Sequence, residues 1–227
     1  MDRSQLTASA LFRTPDTTRA WHYLISFSAP WEALPTLKDS IYGMGLSLDM
    51  SQFDRRGDGI WISKHAHVAD SAHLSPPCII EDGAEIRHGA LLRGSVLVGR
   101  GAVVGNSCEL KNALLFDGVQ AAHFNYVGDS ILGYRAHLGA GAVTSNVKGD
   151  RSEIGIRFGD TVLPTGMRKL GAILGDSTEI GCNAVLNPGT VVGIGTRVYP
   201  LSHVRGYLPE HAIFKAERGL CFQKKRG

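Results

Sequence analysis

The chain lacks paired cysteines, long apolar runs and a strong net charge, and each absence removes a class of protein. Its four cysteines, Cys78, Cys108, Cys182 and Cys221, are scattered with no CxxC pair. That spacing argues for free thiols in a reducing compartment, the cytoplasm. No apolar run approaches the roughly 18 residues of a membrane span, and Trp21 to Phe27 is too short and too mixed for a secretory signal. No membrane partner is therefore expected. The net charge of +3 is too mild to imply a nucleic-acid partner. The one basic cluster, Lys224-Lys225-Arg226, reads as a solvated end. His65, His67, His73, His88, His137, His203 and His211 show no metal-ligand spacing, so no metal site is expected.

What the chain does have is a six-residue apolar rhythm. Val68, Leu74, Ile80, Ile86, Leu92, Val98, Val104, Leu110, Phe116 and Ala122 share one register. It slips by four residues over His123-Phe124-Asn125-Tyr126-Val127-Gly128-Asp129-Ser130 and resumes at Leu132, Leu138 and Thr144. It returns at Leu174, Ile180, Leu186, Val192, Val198 and Val204. A period of six is the mark of a parallel β-helix: one flat strand and one turn per hexad, three hexads per triangular coil. The inward aliphatic residues stack into one apolar column. The next position is tight, and Gly99, Gly105, Gly133, Gly139, Gly175, Gly181 and Gly193 occupy it. Small residues recur four places after the aliphatic one, among them Ala72, Ala84, Ala102 and Ala142. The fold class is therefore all-β, a left-handed parallel β-helix, the hand that accompanies this hexad pattern.

Three segments stand outside the rhythm. Residues 1–58 read as a helical cap shielding the first coil, since an open β-helix end is a sheet edge. Their helix starts near Ser28-Ala29-Pro30, with Trp31, Leu34, Leu37, Ile41 and Met44 as its apolar stripe. Within the β-helix of 59–207, an insertion at about 149–169 reads as a hairpin arm. Ile154, Ile156 and Phe158 alternate before a Gly159-Asp160 turn. An apolar arm needs something to pack on, and a neighbouring subunit is expected. Residues 208–227 read as a loop leading to a short cap.

Exceptions to the hexad rule point to chemistry. Arg87, Arg93, Lys111 and His123 take the position where a small residue is easier. Arg93 and Lys111 are eighteen residues apart, one full coil, so they share a corner. At a coil spacing of about 4.8 Å two cations repel by roughly 3 kcal/mol at an effective dielectric near 20. A bound phosphate would reverse that cost; alternatively Glu109 or splaying into water absorbs it. His123, Tyr126 and Asp129 fall within seven residues at the slip, which reads as a loop leaving a rigid scaffold, where functional groups tend to sit. A histidine there suits a general base.

The run Lys111 … His123-x-x-Tyr126-x-Gly128-Asp129 … Gly139-Ala140-Gly141-Ala142-x-Thr144-Ser145-Asn146 resembles the acetyltransferase domain of the bacterial bifunctional glucosamine-1-phosphate N-acetyltransferase / N-acetylglucosamine-1-phosphate uridyltransferase. The likeness covers about residues 66–216. The whole chain also resembles short stand-alone proteins related to UDP-N-acetylglucosamine pyrophosphorylase. The resemblance implies His123 as catalytic base, and Arg93, Lys111, Tyr126, Asn146 and Lys169 as holders of a sugar phosphate. It implies acetyl-CoA as co-substrate, with Cys182 near the acetyl group where the family has serine, and Lys215 meeting coenzyme A. It also implies a homotrimer with sites between subunits. The acceptor would be an amino-sugar phosphate or nucleotide sugar. Nucleotidyl transfer is not expected, because the uridyltransferase half with its Gly-rich loop is not in the sequence. The alternatives are an acyltransferase with another acceptor and a non-catalytic sugar-nucleotide binding protein.

Overall fold

Each apolar hexad folds as one short strand and one turn, and the strands stack in parallel. A computed structural model of the protein describes residues 3–215. Cys221, the Lys224-Lys225-Arg226 cluster and the expected C-terminal cap lie outside those residues. The result is a parallel β-solenoid of about nine turns. Its first face runs through Ile60–Ser63, Cys78–Ile80, Val96–Val98, Ala172–Leu174, Thr190–Val192 and Tyr207–Leu208. The second is an eight-stranded sheet from His67–Val68 to Ile213–Phe214. The third passes through Leu91–Leu92, Val143–Thr144, Val185–Leu186 and His203–Val204. Two longer strands, Glu109–Leu115 and Tyr126–Leu132, turn the corner from the third face to the first without a break. The inward column is sealed: Ile80, Val98, Val104, Leu110, Val127, Leu132 and Leu186 are all 0% exposed.

The register corrects two of the expected inward residues. Leu115, not Phe116, pairs with Val98, and Ala121, not Ala122, pairs with Val104. The slip is also not a loop leaving the scaffold. The steps Leu110→Leu115 and Val127→Leu132 are five residues long instead of six, so two coils are 17 residues around. Losing two residues from a six-residue rhythm looks the same as gaining four. Both shortened corners need a left-handed residue, supplied by Asn112 (φ 50°) and Asp129 (φ 47°), types that tolerate that region. His123 accordingly pairs with Asn106, while Ala122 lies opposite Gly105. A Cβ at Gly105 would sit 1.7 Å from the Ala122 carbonyl oxygen, which explains the glycine.

The N-terminal region covers a side of the solenoid rather than only its end. The outward residues of the first face are themselves apolar and sealed: Ile79, Leu97, Leu114, Ile131, Ile173 and Val191 are 0% exposed. Leu11, Phe12, Leu24, Leu34, Leu37 and Ile41 belong to the same buried cluster. Phe116, displaced from the inner column, meets Phe12 with ring centroids 4.8 Å apart. The segment is fastened along its length. Asp176, 5% exposed, accepts hydrogen bonds from the Arg13 backbone N–H (2.8 Å), the Thr14 hydroxyl (2.8 Å) and the Tyr134 N–H (2.9 Å). Arg19 grips the buried Glu81 at 2.6 Å. The expected helix is split into a 3-10 turn, Pro30–Thr36, and an α-helix, Leu37–Leu46. Glu32 accepts the Ser28 and Ala29 N–H groups at its start. The open sheet edge is closed by Phe53–Arg56, which pairs antiparallel with Ile60–Ser63.

The arm is a hairpin of Ile154–Phe158 and Thr161–Met167, turning at Gly159-Asp160. It folds back on its own solenoid, against the expectation of a neighbouring subunit. Ile154 and Ile156 are 0% exposed, and Phe158 packs on Tyr207 with centroids 5.1 Å apart. Residues 208–215 continue the coil, since Ile213–Phe214 pairs with Arg197–Val198, so no loop begins at Leu208. Among the described residues no helix is long and apolar enough to cross a membrane.

Emptying the Phe12–Phe116 contact should be costly. Phe116→Ala is expected to lose about 3–5 kcal/mol of stability in urea unfolding, with the N-terminal segment becoming sensitive to limited proteolysis.

Candidate active site

The stacking sorts the motif residues onto two edges of the third face. At its far edge, towards the first face, Arg93 precedes Lys111 by one coil, as its N–H donates to the Leu110 carbonyl at 2.8 Å. Lys111 pairs with Gly128 one coil on. The shortened corners place Asn112, Asp129 and Asn146 in a ladder at intervals of 17 residues. Asn112 Nδ2 donates to Asp129 Oδ1 (2.9 Å), and Asn146 Nδ2 donates to Asp129 Oδ2 (2.5 Å). The arm leaves the coil after Asn146 and returns with the Leu170 N–H donating to the Asn146 carbonyl (3.0 Å), so exposed Lys169 lies at this same edge. Behind it, the inward Thr144 hydroxyl accepts from the Gly128 N–H, and Ser130 Oγ accepts from the Ala172 N–H, both at 3.0 Å.

Charges at this edge are unevenly matched. Arg93 Nη1 lies 2.6 Å from Glu109 Oε1, and that carboxylate raises the Arg93 pKa. The repulsion expected between Arg93 and Lys111 is thus answered within the chain. Lys111 and Lys169 make no ion pair among the described residues. Tyr126 pairs with Glu109 across the coils. Burial first, then Asp129 and Glu109, push its phenol above the usual value, against the opposing pull of an Asn146 hydrogen bond and Arg93.

At the near edge, towards the second face, sit His123, Ala140, Cys182 and Pro200. The Gly141 N–H donates to the His123 carbonyl, Asn183 to Ala140 and Leu201 to Cys182, marking consecutive coils of one corner. Two coils, about 10 Å, separate His123 from Cys182. The His123 side chain is exposed, and its ring makes no hydrogen bond among the described residues. Its backbone is fixed: Asn125, 2% exposed, accepts the His123 N–H (3.2 Å) and donates to the Gly139 (2.9 Å) and Ala142 (3.0 Å) carbonyls. Cys108 donates its thiol to the Ala121 carbonyl at 3.2 Å, and burial pushes its pKa up. Below His123, a mainly apolar groove of about 300 Å³ is lined by His137, Ile180, Cys182, Val198, Tyr199 and Pro200. Lys215 Nζ stands 4.7 Å over the Tyr199 ring at its far side. Cys182 lines the groove itself, and Lys215 touches it through Tyr199.

Asn112, Asn125 and Tyr199 escaped the sequence reading. Asn112 precedes Asp129 by 17 residues, as Asp129 precedes Asn146, a spacing visible only once a coil is known to be 17 residues here. Among the described residues no cluster of histidine, cysteine or carboxylate could hold a metal.

The profile of the family described as GMPPB C-terminal domain matches residues 74–192, more than half of the chain. The chain belongs to this family. It is 30% identical over 153 residues to a bifunctional sugar-1-phosphate nucleotidylyltransferase/acetyltransferase of Sulfurisphaera tokodaii, covering 59% of this chain and 38% of that protein. It is 25% identical over 161 residues to the uncharacterised acetyltransferase YaiX of Escherichia coli, covering 71% and 70%. The chain thus spans less than half the length of the bifunctional relatives it matches. Among solved structures, the acetyltransferase domain of PglB from Neisseria gonorrhoeae in complex with acetyl coenzyme A is 16% identical. It covers 67% of this chain and 52% of that one at a TM-score of 0.31, too low to bear on site or chemistry.

Two outcomes test the local geometry. Asn125→Ala should cost about 1–3 kcal/mol by leaving buried carbonyls unpaired. The raised Tyr126 phenol means the unfolded chain loses its proton first, so this group's contribution to stability falls as pH climbs past about 10. Ultraviolet difference titration of the protein against Tyr126→Phe should place the transition above that of free tyrosine. In an Asp129→Asn background it should move down.

Proposed function

We propose that the protein is an acetyl-CoA-dependent acetyltransferase acting on an amino-sugar phosphate or nucleotide sugar, with His123 as general base. The observation that carries this reading is the sorting of the motif residues onto the two edges of one exposed face. The relatives' acetyltransferase names support the reaction class. The pantetheine arm of the donor follows the groove past Cys182 and Tyr199, and Lys215 meets an anionic group at its end. The acceptor's phosphate is held by Lys111 and Lys169, with Arg93 kept in place by Glu109 and Tyr126 and Asn146 beside it. The neutral amine attacks the thioester carbonyl, His123 takes the proton shed by nitrogen, and the tetrahedral intermediate expels the thiolate of coenzyme A. Positioned proton transfer of this kind contributes about 10²–10⁴ in rate.

From His123 to Gly128 is five residues, up to roughly 16 Å of strand. A base and a phosphate clamp on opposite edges of one face serve a single small acceptor best when the near edge of one subunit meets the far edge of another. A homotrimer with composite sites satisfies this. Light scattering should then give about three times the 24.4 kDa chain mass. One feature favours a second reading, a non-catalytic sugar-nucleotide binding protein: among the described residues nothing orients the His123 ring.

Coenzyme A release from acetyl-CoA, followed with a thiol indicator across a panel of amino-sugar phosphates and nucleotide amino sugars, separates the two. The enzyme reading expects turnover with at least one acceptor. It expects His123→Ala to lower kcat about 10²–10⁴-fold, and Lys111→Ala to raise the acceptor KM. No turnover with any acceptor, together with a melting temperature raised by a nucleotide sugar, would establish the binding protein instead.

A further inference from the structure

A second place where cations converge lies at the other end of the far edge. The column of Arg93, Lys111, Gly128, Ser145 and Asn187 ends at Arg205, as the Asn187 N–H donates to the Val204 carbonyl at 2.9 Å. Four coils, about 19 Å, separate Arg205 from Lys111, so the two places are distinct. Here the hairpin arm returns across the solenoid. Gly206, at φ 80°, has no Cβ, and one built there would lie 2.5 Å from the Arg157 carbonyl oxygen. That contact sets the arm's Arg157 directly against the coil carrying Arg205. Arg157, Asn187, His203 and Arg205 line a hollow of about 360 Å³. A second hollow of about 450 Å³ shares Asn187 and Arg205 and continues past Ser145, Lys148 and Asp150.

The charge of the two arginines is not answered among the described residues. Neither Arg157 nor Arg205 makes an ion pair or side-chain hydrogen bond among the described residues. Asp150, the one carboxylate of the lining, is occupied by the Ser152 N–H (3.0 Å) and hydroxyl (2.8 Å). Lys148 donates to the Glu153 carbonyl (2.5 Å) and the Ser152 hydroxyl (3.3 Å), and its charge is partly answered by Asp150, whose carboxyl is held low by the Ser152 hydrogen bonds first and by Lys148 after them. Two arginines from separate elements thus line one hollow, and guanidinium groups are suited to phosphate oxygens.

We infer that this groove binds the pyrophosphate-type group of a nucleotide. It is independent of the acetyl-transfer reading, because binding here requires no chemistry at His123. Two sources share the chemistry, the nucleoside diphosphate of a sugar nucleotide and the adenosine phosphates of coenzyme A.

The test is calorimetric titration of the full chain at low salt with inorganic pyrophosphate, uridine diphosphate and adenosine 3′-phosphate 5′-diphosphate. Pyrophosphate should bind and be displaced by whichever nucleotide is the source. Arg157→Ala and Arg205→Ala should each weaken it about tenfold or more, and Arg205→Lys should restore part of the loss. Arg56→Ala, an exposed cation far from the groove, should leave it unchanged. Both arginines are exposed, so melting temperatures should hold and a loss of binding cannot be charged to unfolding. Undetectable pyrophosphate binding at millimolar concentration, or an unchanged Kd in the Arg157→Ala/Arg205→Ala double variant, overturns the proposal. Nucleotide binding in this groove by a protein that releases no coenzyme A with any acceptor would sink the acetyl-transfer reading and leave this one standing.

Discussion

Everything in this molecule depends on the register in which one coil lies on the next. Parallel strands at about 4.8 Å fix the height of each residue, and the inward apolar residue fixes its direction. Whatever stands at a given place in the repeat therefore becomes a column on the outside. Arg93 above Lys111, and His123 above Ala140 and Cys182, are not loops that happen to meet. They are consequences of coil length. Changing that length by one residue, as at Asn112 and Asp129, moves the whole downstream column by one place.

The shortened coils show how such a change is used. Displacing Phe116 from the core column makes it available to Phe12, one of the anchors of the N-terminal segment. The same shortening brings Asn112, Asp129 and Asn146 into a ladder beside Tyr126, at the corner where the arm departs. One register change thus serves both the packing of the covered face and the architecture of the candidate site. A buried Asp129 held by two amide donors is costly to disturb, which gives that corner a rigid floor.

The covering segment explains why the three faces differ. An outward row of Ile79, Leu97, Leu114, Ile131 and Ile173 could not face water without exposing a large apolar patch, and the N-terminal residues and hairpin remove it. The second and third faces keep polar or mixed outer rows, so chemistry is left to the edges those two faces share with their neighbours. The arm does more than cover: by resting on Gly206 it sets Arg157 beside Arg205.

The period of six, the inward residues up to Leu110, the hairpin turn and the common corner of Arg93 and Lys111 were all legible in the sequence, because a repeat fold writes its geometry at fixed intervals. The residues of the site were legible as a motif, yet their division between two edges was not. That division depends on where the five-residue steps fall, and a slip of four reads the same as two losses of one. The partner of Arg93, the roles of Asn112 and Asn125, and the destination of residues 1–58 and of the arm were decided only by tertiary structure. The physical reason is that they rest on contacts between segments far apart in the chain, whose apolar patterns say that they must be buried but not against what.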